Sequence, residues 1–138
     1  MRGIGLANYI ELTMGFPREW TEITVKPQGE VELAIGTLSS GQGHETSFAQ
    51  CVCEWLGVPF ESVRHLQGDT DRIPVGGGSH SGRSMRMGGV VMGRAVQQVI
   101  DKGKRIASHL LEAAQADIEF AGGLFFVKGT DRSVGLFE

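Results

Sequence analysis

Apolar and polar residues alternate most clearly over residues 22–36. Glu22-Ile23-Thr24-Val25-Lys26, then Val31, Leu33 and Ile35, keep a period of two, as strands with one face on a core do. Pro27-Gln28-Gly29-Glu30 separates the two runs, so the pattern predicts a β-hairpin. From about Glu45 to Leu56 the period lengthens. Phe48, Cys51, Val52, Trp55 and Leu56 recur at spacings of three and four, one apolar stripe of a helix. Ser47 with Gln50 fits a capping box, which sets the first turn near His44 to Ser47, and Gly57 and Pro59 mark the end. Ile4 to Thr13 reads as an earlier strand, broken by Gly15-Phe16-Pro17, and Glu61 to Gln67 as a later one. Ser84 to about Ala116 reads as one long helix or two joined helices. Ile118 to Phe120 and Leu124 to Val127 read as a closing hairpin around Gly122-Gly123.

Strands thus come in antiparallel pairs with helices between them. This order predicts an α+β two-layer sandwich, an antiparallel or mixed sheet with two main helices, over residues 1–138 as a single unit. Four glycines in the long helix, Gly88, Gly89, Gly93 and Gly103, each weaken it by roughly 1 kcal/mol relative to alanine. They make sense where another backbone or a ligand comes close.

Composition narrows the function classes. Net charge is −3 with no long run of either sign, which argues against a nucleic-acid surface. No apolar run is long enough to span a membrane, and the N-terminus lacks a secretory pattern. Two cysteines make no disulfide framework, so the expected setting is reduced and cytoplasmic. The chain enters a strand-like run at once and closes on Val134-Gly135-Leu136-Phe137-Glu138 without a polar tail, so a piece of a longer protein is expected.

The 21 glycines concentrate the candidate chemistry. Gly41-Gln42-Gly43-His44 leads into the first helix, and Gly76 to Ser84 into the second. Such loops present N–H groups and the positive end of a helix dipole to anions. Tight turns without a ligand are the other reading, and residues alone leave both open. From Gly77 the second loop spells G-x-x-x-x-G-R-S, near the nucleotide-triphosphate loop. A polar stretch, Gly68 to Val75, separates it from the preceding strand. Arg83 replaces the lysine, and no apolar run ends in a magnesium-binding Asp, so that reading fails. Cys51 and Cys53 face apart on a helix and cannot share a metal. Asp69 and Asp71 suit a turn better than a cation site, and His65 and His109 look like ordinary surface or core residues. The Ser81–His80 pair has no evident orienting group, so no nucleophile or general base stands out.

GQGHETSFAQ, then LGVP, GDTD, a glycine-rich loop and SGRS, in this order and spacing, resemble the molybdopterin-binding large subunit of molybdenum hydroxylases. That family includes xanthine dehydrogenase, aldehyde oxidase and carbon monoxide dehydrogenase. The resemblance implies an oxidoreductase whose molybdenum–molybdopterin cofactor, often a cytosine dinucleotide, hydroxylates an aldehyde or N-heterocycle with oxygen from water, or oxidises carbon monoxide. It implies partner subunits or domains carrying 2Fe-2S clusters and FAD, no nucleic-acid or membrane partner, and room for a homo-oligomer. Gln42, Gly43 and His44 would lie against the pterin and its phosphates, with Ser79, Ser81, Gly82, Arg83 and Ser84 as a second wall. Many members read G-S-R-S where this chain has Ser81-Gly82-Arg83-Ser84. The family's glutamate base in a late G-x-G-E segment and its phenylalanine–glycine–glycine loop are absent here. No catalytic residue or metal ligand is therefore assigned, and the chain by itself is expected to be inactive. The alternatives are a stand-alone nucleotide- or phosphate-binding module and a ligand-free structural domain.

Overall fold

The computed structural model describes residues 2–10, 12 and 15–138. The expected hairpin forms β1 (Thr21–Lys26) and β2 (Glu30–Ile35), antiparallel from Thr21 opposite Ile35 to Lys26 opposite Glu30. Gly29, at φ 85°, closes the turn and donates to the Lys26 carbonyl at 3.1 Å. The chain then crosses over through α1 (His44–Leu56) and returns as β3 (Val63–Leu66), which pairs with β2 in parallel. The sheet is therefore mixed, one of the two forms expected: a helical crossover brings the chain back to the same end of the sheet. β2 is the central strand. Val31, Leu33 and Ile35 are fully buried, and Ala34 and Glu32 on its other face nearly so.

α1 begins at His44, but not through the expected capping box. Gly43, at φ 72°, is the N-cap, and no side chain caps the helix. Ser47 is already in the first turn, and its hydroxyl donates back to the Gly43 carbonyl at 3.3 Å. Gly57, at φ 64°, ends the helix and donates to the Cys53 carbonyl. Phe48, Val52 and Leu56 bury against Met92 and Val96 of α2 (Arg83–Leu110), while Trp55 lies at the edge of the stripe.

α2 is one helix of 28 residues. It stops at Leu110, short of Ala116, because Glu112 takes φ 46° and turns the chain away. A short 3₁₀ turn leads into β4 (Ile118–Ala121), β5 (Leu124–Val127) and β6 (Ser133–Gly135), an antiparallel meander. This second sheet packs on the far half of α2 through Ala107, Ile118, Phe125 and Val127. Two of the helix glycines mark close approaches. A Cβ at Gly88 would meet Ile35 and Phe48 at 3.3 Å, and one at Gly103 would sit inside the Phe125 ring.

The strand expected over Ile4 to Thr13 does not form among the described residues, and Glu11 and Thr13 lie outside them. Ile4, Leu6, Tyr9, Ile10 and Leu12 are exposed. A strand needs a neighbour to take its backbone hydrogen bonds, and no described strand lies alongside. Among the described residues no helix is long and apolar enough to cross a membrane.

Candidate functional site

The two long helices start on one cavity of about 360 Å³. The expected residues Gln42, His44, Ser79, Ser81, Gly82, Arg83 and Ser84 all stand in its wall, joined by Ser47, Phe48, His80 and Met85. Gly43 is not in the wall itself; it is the residue from which α1 starts. α2 starts in the same way, from Gly82 at φ 63°, again with no side-chain cap. Uncapped helix starts leave backbone N–H donors available to an anion, which the helix dipole also favours. A Cβ at Gly41, Gly43 or Gly82 would meet nothing within 4 Å, so the space over these loops is open.

His44 is 4% exposed and stacks on Phe48, ring centroids 4.5 Å apart. Its Nδ1 is buried without a hydrogen-bond partner. An orphaned buried polar atom is costly and needs a partner that the described residues do not supply. Phe48 in turn meets His65 edge-on at 5.9 Å, and both His65 ring nitrogens are buried without partners among the described residues. Burial is the main cause that pushes the His65 pKa below its ordinary value; nearby Glu45 opposes the shift and His44 adds to it. His65 is therefore packed under the site, the core setting being one of the two, surface or core, that its sequence context suggested.

Thr37 was not singled out by sequence reasoning, yet it holds the wall together. It is fully buried, donates to the Gly78 carbonyl at 3.1 Å, and lies 3.2 Å from Ser79 Oγ and 3.0 Å from Ser84 Oγ. Ser79 also donates to the Leu38 carbonyl. On the opposite loop, Gln42 Oε1 accepts from the Ser40 N–H and its own N–H donates to Ser39 Oγ at 3.1 Å. Ser39 N–H donates to Gln67 Oε1, and Gln67 Nε2 donates to Glu45 at 2.7 Å.

Ser81, at φ 51°, precedes Gly82 in the same left-handed region, a strained setting for a side chain that has a Cβ. His80 Nε2 lies 3.0 Å from the Gly77 carbonyl, which can only accept, so that nitrogen carries the proton. In the neutral ring Nδ1, 2.9 Å from Ser81 Oγ, is then the acceptor. The pair does have an orienting group, the Gly77 carbonyl, which the sequence did not show. The arrangement fixes the Ser81 hydroxyl in the wall.

Arg83 was expected to face an anion. Its side chain is instead wholly buried. Nε donates to the Phe16 carbonyl at 3.0 Å, and one terminal nitrogen to Glu19 Oε2 and the Gly78 carbonyl, both at 2.7 Å. The other donates to the Arg18 carbonyl at 2.7 Å. Glu19, equally buried, had no sequence signal, because it lies in a short irregular segment outside any motif.

Asp69 takes the turn role expected of it: its carboxylate accepts from the Asp71 N–H at 3.0 Å and its carbonyl from the Ile73 N–H. Arg72 from the same turn pairs with Glu32 at 2.6 Å, and Lys26 pairs with Glu32 at 3.0 Å. The Arg72 hydrogen bond first, then that of Lys26, holds the Glu32 carboxyl below the usual range. Among the described residues no three His, Cys, Asp or Glu side chains gather as a metal site.

Residues 1–137 match the molybdopterin cofactor-binding domain family. The carbon monoxide dehydrogenase large chain of Hydrogenophaga pseudoflava is 32% identical over 142 residues, 95% of this chain and 18% of that one. The 6-hydroxypseudooxynicotine dehydrogenase complex subunit gamma of Paenarthrobacter nicotinovorans is 40% identical over 116 residues, 84% of this chain and 15% of that one. Quinoline 2-oxidoreductase from Pseudomonas putida 86 superposes with a TM-score of 0.77 at 35% identity, over 86% of this chain and 15% of that one. The chain thus spans less than a fifth of the length of these relatives.

Proposed function

The chain belongs to the molybdopterin cofactor-binding domain family, and on that premise we propose that the cavity between the two helix starts holds part of a molybdenum–molybdopterin cofactor. The observation that carries this reading is the pairing of two uncapped helix N-termini with the orphaned, buried Nδ1 of His44 on one cavity. An oxygen-rich, anionic group that also carries ring nitrogens suits such a donor set.

Main-chain N–H groups of the first turns of α1 and α2 would bind phosphate and carbonyl oxygens. His44 Nδ1 would meet a polar atom of the ligand. Gln42, Ser81 and Ser84 would add side-chain contacts, Ser79 would hold the loop through Leu38, and Gly43 and Gly82 would leave room for close approach. Arg83 would act from behind the wall. When bound, the cofactor supplies the redox and oxygen-transfer chemistry of a molybdenum hydroxylase.

On this reading the chain is one subdomain, residues 1–138, of a larger molybdenum-dependent oxidoreductase of the carbon monoxide, aldehyde or N-heterocycle-oxidising kind. It is inactive alone, because the residues here bind and orient and none of them is placed as a general base. Cofactor in cytosine dinucleotide form, partner subunits carrying 2Fe-2S and FAD, assembly into a homo-oligomer and a cytoplasmic setting belong to the same proposal. The reading of a stand-alone phosphate module is not favoured beside a family match over residues 1–137. Molybdenum and pterin assay of the protein purified with its natural partner chains tests the proposal, with Gln42→Ala and His44→Ala expected to lower both and unchanged loading counting against the site.

A further inference from the structure

Glu19 and Arg83 form an ion pair 2.7 Å long, and both side chains are completely buried. Burying two charges is costly, and well-packed apolar replacements often serve the fold as well. Stability alone therefore does not account for the pair. Its position does.

The pair ties two segments that are distant in sequence. From one side, Arg83 donates to the carbonyls of Phe16 and Arg18, and Glu19 Oε1 accepts from the Trp20 N–H at 3.0 Å. From the other, Arg83 donates to the Gly78 carbonyl, and the Gly77 N–H donates to Glu19 Oε2 at 3.4 Å. The loop rests directly on the pair. A Cβ at Gly77 would sit inside the guanidinium, and one at Gly36 would strike Glu19 Oε1 and the Val75 carbonyl. A Cβ at Gly15 would lie 3.0 Å from Arg83 Cδ and 2.9 Å from His80 Cε1. Ser79, Ser81 and Gly82, which follow Gly78 in this loop, form the cavity wall. Glu19 is not part of that wall.

We propose that Glu19 and Arg83 are positioning residues, which set the height of loop 77–82 against the start of α2 and so give the cofactor wall its shape before any ligand arrives. The inference rests on the cofactor-binding reading above. Arg83 acts through the loop it supports, not as a ligand. The fork of the guanidinium is needed for this, since it serves three carbonyls and a carboxylate at once.

The decisive variant is the double replacement Glu19→Leu/Arg83→Met in the protein as it occurs with its partner chains. It removes both charges, keeps the volume and leaves no buried charge unpaired. The Phe16, Arg18 and Gly78 carbonyls lose their donor, so the melting temperature should fall, and positioning predicts that the folded variant also has about 10-fold lower molybdenum content, the scale of outer-shell losses at metal sites. It also predicts that amides 77–82 of the cofactor-free protein exchange about 10-fold faster, a larger change than any in β1 and β2. Wild-type loading and wild-type loop exchange in the double variant would overturn the inference. If the double variant does not fold, Arg83→Lys decides: it keeps the charge facing Glu19 but loses the fork. Unchanged loop exchange there overturns the inference, and faster exchange confined to the loop supports it. Should wild-type protein carry no molybdenum or pterin, the cofactor reading fails, while the exchange measurements still decide whether the pair positions the loop.

Discussion

Thr37 Oγ1 lies 3.0 Å from Ser84 Oγ, joining the end of the central strand to the first turn of α2 across 47 positions of sequence. The same oxygen serves the Gly78 carbonyl and lies within reach of Ser79, so one buried hydroxyl gathers three points of the cavity wall. Thr37→Val keeps the shape and removes the hydroxyl. It should cost about 1–3 kcal/mol, the range for leaving buried polar partners unsatisfied. Urea unfolding of wild type and variant measures this. A loss below about 0.5 kcal/mol, the size of an ordinary surface change, would mean that Thr37 does not hold the wall.

The glycines of α2 divide into two kinds, and alanine separates them. At Gly93 a Cβ would find its nearest neighbour, Trp55, at 4.0 Å, so Gly93→Ala should stabilise by up to about 1 kcal/mol through helix propensity. At Gly103 the Phe125 ring occupies the space, and that ring is itself packed on Phe120 at 4.6 Å between centroids. Overpacking of about 1–3 kcal/mol outweighs the propensity gain there, so Gly103→Ala should destabilise. Thermal melts of the two variants should shift in opposite directions.

His65 makes stability depend on pH near neutrality. Its folded pKa lies below its unfolded value because burial disfavours the imidazolium, with Glu45 and His44 as its charged or titratable neighbours. The unfolded chain therefore takes up the proton first as pH falls. Stability from this group is complete above about pH 6.5 and is lost as pH falls from there toward the lowered folded pKa. Chemical unfolding at several pH values should show this slope in wild type and a flatter one in His65→Leu. Identical slopes would assign the effect to another group.

Glu32 acts in a lower window. Arg72 and Lys26 hold its folded pKa below the usual carboxylate value, so its contribution is present above about pH 4.3 and is lost as pH falls further. Glu32→Gln should flatten the acid limb of the stability profile, and salt should weaken the wild-type slope, because Arg72 is about half exposed. An acid limb that Glu32→Gln leaves unaltered would remove Glu32 as its source.

Much of the architecture was legible because it is written in local periodicity. The alternation over 22–36 specified β1 and β2, and the spacing of Phe48, Val52 and Leu56 specified the buried face of α1. The glycine loops pointed to both sides of the cavity, since positive φ at Gly43 and Gly82 leaves a trace in composition. Long-range pairing left no such trace. The parallel β2–β3 ladder depends on where the crossover returns the chain. Thr37 and Glu19 join the site through partners more than 40 residues away, and His65 through Phe48, 17 residues away. Arg83 misled for the same reason: a basic residue at a helix start suggests an anion, and only the fold reveals that Glu19 and three carbonyls already hold it. The apolar residues Ile4 to Leu12 carry strand periodicity, but a strand also needs a neighbour.

The most direct test of the cofactor-binding account is the molybdenum and pterin content of the protein purified together with its natural partner chains. The account predicts molybdenum approaching one equivalent per chain with pterin in equal amount, both reduced in His44→Ala while the melting temperature stays within a few degrees of wild type. Active, fully assembled protein that contains neither molybdenum nor pterin would contradict it.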